Sequence, residues 1–134
     1  MRIVADTNVL LASIFWNGAP YRVLRTVLDG KHELLITRYI LDELERTLTN
    51  PKDKFNVDAD EAKEMLYTFI AVATKISPEE IQAISRDPKD NPILACAISG
   101  RAKAIITRDK DLLVLKEYKG IEMLTPEAFL AKTF

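Results

Sequence analysis

The sequence is poor in the residues that most catalytic and cofactor-binding sites rely on. One cysteine, Cys96, stands among 134 residues, so an internal disulfide and any multi-cysteine metal site are excluded. His32 is the only histidine. It lies beside the start of an apolar run, away from the residues singled out below, and reads as a surface residue. Ser13, Ser77, Ser85 and Ser99 therefore lack a suitably placed histidine, and a hydrolytic triad is disfavoured. Four glycines form neither Gly-x-Gly-x-x-Gly nor a Walker loop, which argues against dinucleotide and nucleoside triphosphate sites. No apolar run approaches the roughly 20 residues needed to cross a bilayer. Net charge is missing too: 19 Lys plus Arg against 20 Asp plus Glu leave -1, so a polyanionic partner must meet a local patch. The opening Met-Arg-Ile-Val-Ala-Asp is too short for a signal-peptide core, and with the unpaired Cys96 it predicts an intracellular, cytoplasmic protein.

What remains is an ordinary globular composition, 48% hydrophobic and 29% charged. The length, with no repeat, low-complexity tract or linker, predicts one domain over 1–134. Short apolar runs alternate with longer helical patterns, the arrangement of an α/β fold with helices packed on a parallel sheet. The runs are Ile3-Val4-Ala5, Leu34-Leu35-Ile36, Val72 to Ile76, Ala104-Ile105-Ile106 and Ile121 to Leu124. They lack polar alternation, as strands covered on both faces do, and predict about five strands. Pro20 to Leu28 carries a helical stripe that Gly30 can end, and Tyr39 to Leu48 carries another that Thr37 can cap. Asp58 to Ile70 is a third helix, preceded by a polar loop from Thr49 to Asn56. Ser77-Pro78-Glu79-Glu80 is a capping box that opens a short helix, Asn91-Pro92 opens one running to Gly100, and Thr125-Pro126 opens the last.

The acids fall where strands end. Asp6 follows the first run, and Asp109 and Asp111 follow the fourth. In parallel sheets the carboxyl ends of the strands open onto the ligand crevice. Asp87 and Asp90 lie in a loop leading into the Asn91-Pro92 helix, and Glu43 sits in the first turns of the helix after the second run. With the first and fourth strands adjacent, Asp6, Glu43, Asp90 and Asp109 converge. Carboxylates so placed repel one another and call for a cation. Oxygen ligands without imidazole or thiol favour Mg²⁺ or Mn²⁺ over Zn²⁺, and such ions keep room for substrate phosphate oxygens. Metal-assisted phosphodiester hydrolysis is the chemistry this pattern predicts.

Each acid also has a plainer role open to it. Asp6, Asp90 or Asp109 can simply cap the helix that follows. Glu43 can pair with Arg46 at i+3, Asp111 can complement a helix dipole, and Asp87 before Pro88 can be a turn residue. Cys96 falls on an apolar helix face and reads as core.

Taken together, Ile3-Val4-Ala5-Asp6-Thr7-Asn8-Val9-Leu10, Leu41-Asp42-Glu43-Leu44, Asp87-Pro88-Lys89-Asp90-Asn91 and Ile106-Thr107-Arg108-Asp109-Lys110-Asp111-Leu112 resemble the PIN-domain ribonucleases. Within that family the chain is most similar to the VapC-like toxin components of toxin–antitoxin systems, over essentially its whole length. The resemblance implies a three-layer α/β/α sandwich, a Mg²⁺ or Mn²⁺ site and endonucleolytic cleavage of RNA. Carried over by position, it makes Asp6 and Asp90 direct metal ligands. Glu43 completes the acidic cluster, Asp109 is the fourth acid, and Asp111 assists a second metal. Asn8 and Thr107 orient these carboxylates. A cognate antitoxin and a homodimer or higher homo-oligomer are also implied. The chain departs from compact members of the group in its longer Ser13 to Pro20 segment, with Phe15-Trp16-Asn17-Gly18.

Arg38, Lys89, Arg108 and Lys110 flank the expected crevice and can contact RNA phosphates, or can be solvated surface charges. Phe15, Trp16 and Tyr39 can stack on unpaired bases. Phe15 and Trp16 can equally be buried or dock a partner. Two other readings stay open: a nuclease of related fold acting on structured DNA, and a non-catalytic binding or regulatory module. An aspartyl-nucleophile phosphatase is disfavoured, because that scheme wants a second Asp where Asn8 stands.

Overall fold

The computed structural model of the chain describes residues 1–50, 57–78 and 91–132. Within them the apolar runs form a sheet of order β3-β2-β1-β4-β6-β5. Its strands are β1 (Arg2–Ala5), β2 (Glu33–Ile36), β3 (Thr74–Lys75), β4 (Ala104–Ile106), β5 (Glu117–Tyr118) and β6 (Ile121–Leu124). All neighbours pair in parallel except β5 and β6, which form an antiparallel hairpin at one edge. The helices are α1 (Thr7–Phe15), α2 (Ala19–Leu28), α3 (Arg38–Thr49), α4 (Ala59–Val72), α5 (Asn91–Ser99), α6 (Lys110–Leu113) and α7 (Pro126–Ala131).

Alternate strand residues serve opposite faces, which makes three layers. Ile3, Ala5 and Leu34 line one side with Val9, Leu10, Val23, Leu24 and Val27 of α1 and α2. Leu35 turns the other way, toward the end of α5. There a Cβ on Gly100 would lie 2.3 Å from Leu35 Cδ1 and 2.9 Å from Ile76 Cδ1, so any larger residue would force those side chains to shift. On that side α5 packs across β1, β2 and β4, with α3 beside it and α4 on α3. Both faces are therefore covered, which is why Ile3, Val4, Leu34, Leu35, Ile105 and Ile106 are all buried without a polar residue between them.

Chain order places β1 beside β4. After β1 the sheet grows outward through β2 and β3, then returns to the other side of β1 for β4. The β1–β4 junction is the topological switch point, where a crevice opens at the carboxyl ends of the strands.

Local signals account for most helix ends. Thr37 caps α3 by accepting the Ile40 N–H, Asp58 caps α4 through Glu61, and Thr125 caps α7 through Ala128. Gly30 ends α2 with a left-handed φ of 79°.

Three expectations need correction. The Val72 to Ile76 run is mostly not a strand. Val72 completes α4, because Leu66, Phe69 and Val72 continue one helical stripe, and only Thr74–Lys75 pair with β2. The short pair Glu117–Tyr118, exposed at Glu117 and half-buried at Tyr118, adds a sixth strand that no apolar run announces. His32 does lie at the edge opposite the acids, but it is half-buried rather than superficial. Its ring meets Phe129 edge-on with centroids 5.0 Å apart, and burial lowers its pKa. The Thr49 to Asn56 loop beyond Asn50, and the helix expected after Ser77-Pro78, fall outside the described residues.

Candidate active site

The end of β1 delivers Asp6 directly onto the end of β4. The Asp6 N–H donates to the Ile106 carbonyl at 3.1 Å, continuing the ladder by one residue before α1 begins. Asp6 Oδ1 then accepts the Val9 N–H at 2.9 Å and caps α1. Its other oxygen, Oδ2, accepts a hydrogen bond from the Thr107 hydroxyl.

Thr107 is the joint between the two acidic segments. It is fully buried, and while its Oγ1 donates to Asp6 it accepts the Asp109 N–H at 3.0 Å. Both the proton and a lone pair of the hydroxyl are thus committed. Asp109 caps α6 by accepting the Asp111 N–H on Oδ1 at 2.9 Å. The capping role and the site role weighed for Asp6 and Asp109 are therefore not alternatives. One oxygen of each carboxylate fixes the helix, and that bond sets the direction of the whole group.

Electrostatics mark the pair as strained. Burial raises the Asp6 pKa above the ordinary 3.8, and the nearby Asp109 charge pushes the same way. Hydrogen bonds from Thr107, Val9 and Arg108 pull against that shift without cancelling it. Neither Asp6 nor Asp109 makes a salt bridge among the described residues. Two carboxylates held together without a cation, one of them partly desolvated, form an oxygen donor set suited to a hard divalent ion. Among the described residues no group of three or more His, Cys, Asp or Glu side chains is placed to hold a metal, so the described part of the site is a pair rather than a cage.

The other expected residues divide clearly. Glu43 forms an ion pair with Arg46 on α3 at 2.5 Å. Asp111 lies half-buried in the first turn of α6. Asn8 is exposed on α1 and has no side-chain hydrogen bond among the described residues, unlike Thr107. Arg38 pairs with Asp42 at 3.1 Å and Arg108 with Glu127, leaving Lys110 as an exposed cation beside Asp109. Asp87, Lys89 and Asp90 lie outside the described residues. Trp16 is half exposed at the end of α1 and Tyr39 is exposed on α3, while Phe15 packs partly against the core. Cys96 is buried, with its thiol pushed up to about 12, and is inert core as expected.

Sequence reasoning passed over Arg101, Lys103 and Lys119, which gather at the opposite edge of the sheet around one cavity. Their positions in sequence carry no motif. What could have drawn attention to them is a cation on each side of a glycine-marked turn, Gly100-Arg101 and Lys119-Gly120.

Comparison with known proteins agrees with this architecture. No curated protein matches the chain. Among solved structures, the chain is similar to one in the crystal structure of VapBC2 from Rickettsia felis bound to a DNA fragment from their promoter. The TM-score is 0.65 at 16% identity, over 93% of this chain and 98% of that one, a likeness of fold. The PIN domain family model matches residues 2–111, which include β1, the β1–β4 junction and all the acids considered above. The chain belongs to the PIN domain family, a family of nucleases.

Proposed function

We propose that this chain is a Mg²⁺- or Mn²⁺-dependent endoribonuclease and the toxin component of a toxin–antitoxin pair. The observation that carries the reading is the coupling of Asp6 to Asp109 through Thr107 at the switch point, with no salt bridge to either acid among the described residues. Membership in a nuclease family and a fold shared with a chain of a VapBC complex support it.

In this reading Asp6 and Asp109 hold the ion, joined by Asp90, which directly precedes α5 in the sequence, and assisted by Asp111. Bound there, the ion supplies Lewis-acid polarisation of a phosphate oxygen and a water of lowered pKa. The chain's own contribution is orientation. Thr107 fixes the Asp6 carboxylate, and the N–H groups of Val9 and Asp111 hold one oxygen of each acid, so little reorganisation remains when the cation arrives. Lys110 beside the acids is placed to meet a backbone phosphate. Glu43 of α3 completes the acidic cluster directly or through water, its charge shared with Arg46. Assembly with a cognate antitoxin and self-association into a homodimer complete the proposal, and cytoplasmic RNA is its substrate.

The test is cleavage of labelled single-stranded RNA by the purified chain with Mg²⁺, Mn²⁺ or chelator, beside a matched DNA strand. Cleavage of RNA alone, abolished by chelator and by Asp6→Asn, is expected. Preferential cleavage of DNA would replace the substrate assignment, and equal cleavage by wild type and variant would remove the enzyme.

A further inference from the structure

The amino-terminal edge of the sheet carries a cavity of about 210 Å³ lined by Ala97, Ile98, Arg101, Ala102, Lys103, Lys119, Gly120 and Ile121. Three of those eight residues are cations and none is an acid. Among the described residues none of the three makes an ion pair, although Arg2, Arg25, Arg38, Arg46, Arg108 and Lys132 all do. Lys119 also holds its ammonium over the Tyr118 ring, 5.5 Å from the centroid. In a chain of net charge -1, three cations without an ion-pair partner among the described residues around one hollow are a local excess the composition does not supply by itself.

The backbone that presents them is unusual. At the end of α5 the Ala102 N–H bonds back to Ala97 O, and the Arg101 N–H to Ile98 O, which is a Schellman turn. Arg101 occupies its left-handed position with φ 55°. The same turn at the end of α2 has Lys31 N–H on Thr26 O and Gly30 N–H on Val27 O, and there glycine takes the left-handed place. The β5–β6 hairpin closes through Lys119 (φ 51°) and Gly120 (φ 81°), a two-residue turn of the type that favours Asn, Asp or Gly at its first position. Of the three non-glycine residues with positive φ among the described residues, Arg101, Lys116 and Lys119, two face this one cavity. Backbone strain accepted for a long cationic side chain at two separate turns marks a place where the charge has a use.

We infer that Arg101, Lys103 and Lys119 form an anion site for a phosphoryl group. It lies at the opposite end of β4 from Thr107, about 13 Å away at the usual strand rise. Three cations match a phosphate dianion better than a carboxylate. Guanidinium offers it a two-pronged donor, and two ammonium groups supply point charge. The cavity volume accommodates such a group with several waters. This site is independent of the nuclease reading and needs no divalent ion.

The test is titration of the full chain with inorganic phosphate in chelator at constant ionic strength, followed by backbone amide NMR. Wild type is expected to show saturable shifts confined to the segments around Arg101–Lys103 and Lys119–Ile121. Arg101→Gly and Lys119→Gly, which relieve the left-handed strain and so keep the fold, are each expected to weaken binding about tenfold or more. Absence of saturable shifts in wild type, or equal affinity in both variants, would overturn the site. Adenosine 5′-monophosphate and an RNA oligonucleotide without terminal phosphate, added in the Asp6→Asn background, then separate the sources. Tighter binding of the mononucleotide identifies a terminal phosphate, and shifts of the same amides by the oligonucleotide identify a backbone phosphate. If neither moves these amides, the phosphoryl assignment fails even where inorganic phosphate binds.

Discussion

The two edges of one sheet carry opposite charge for opposite reasons. At the carboxyl edge, Asp6 and Asp109 are pinned by helix caps and by a shared buried threonine, so two like charges are held close by bonds that local folding makes anyway. At the amino edge, Arg101 and Lys119 are set by turns that would fold more easily with glycine or asparagine. Peripheral charges pair off at both edges, Arg108 with Glu127 at one and Arg2 with Glu33 at the other. An almost neutral chain thus hides a dipolar arrangement among the described residues: an acid pair without a salt bridge at the switch point and a basic cluster without one behind it. Net charge, read alone, conceals both.

The sharpest way to break the contrast is to remove one acid. Asp6→Asn and Asp109→Asn are each expected to lower RNA cleavage by about 100-fold or more, while Lys119→Gly leaves cleavage of a short oligonucleotide within a few-fold. A gel assay of initial rates decides, and an active Asp109→Asn would confine the site to Asp6 and residues outside the described segments.

Next in size is the joint. Thr107→Val keeps the shape but leaves the Asp109 N–H without its acceptor and Asp6 Oδ2 without the hydroxyl that donates to it. A loss of about 10–100-fold in cleavage is expected, with about 1–3 kcal/mol of stability in urea. Unchanged activity would mean that the caps alone orient the acids.

The third prediction concerns pH. Because the folded-state pKa of Asp6 lies above its unfolded value of 3.8, the folded protein holds that proton more tightly. The resulting stabilisation is present below 3.8 and is lost as pH rises through the folded value. Asp6→Asn does not titrate there, so in chelator its melting temperature relative to wild type should rise from about pH 4 to pH 7. A difference that is flat with pH would show that Asp6 is not strained by burial and by Asp109.

The smallest effect belongs to the basic edge, where Arg101→Gly should stabilise the fold by about 1 kcal/mol through relief of the left-handed residue. Chemical denaturation measures it, and destabilisation would show that Arg101 holds the α5 turn by contacts of its own.

How much of this was legible in the sequence follows from where each signal resides. Asp6 and Asp109 were visible because an acid directly after a buried strand is a local pattern. Their adjacency was not, since it depends on the order β2-β1-β4, which no local pattern encodes. The pattern predicts a strand at Val72 where α4 continues, because a run of apolar residues looks the same whether it ends a helix or begins a strand. β5 was invisible, because a strand of two residues, one exposed and one half-buried, is too short to show any periodicity. The Glu43–Arg46 pair was legible too, because an i,i+3 spacing on one helix face is a local signal. The basic cavity lay beyond reach because its three cations come from two turns, and a positive φ leaves no trace in a side chain.

Mn²⁺ binding followed by electron paramagnetic resonance, in wild type, Asp6→Asn and Arg101→Gly, addresses the acid pair most directly. Saturable binding in wild type and in Arg101→Gly, lost in Asp6→Asn, is the expected result. No binding in wild type, or binding that survives Asp6→Asn undiminished, would contradict the account.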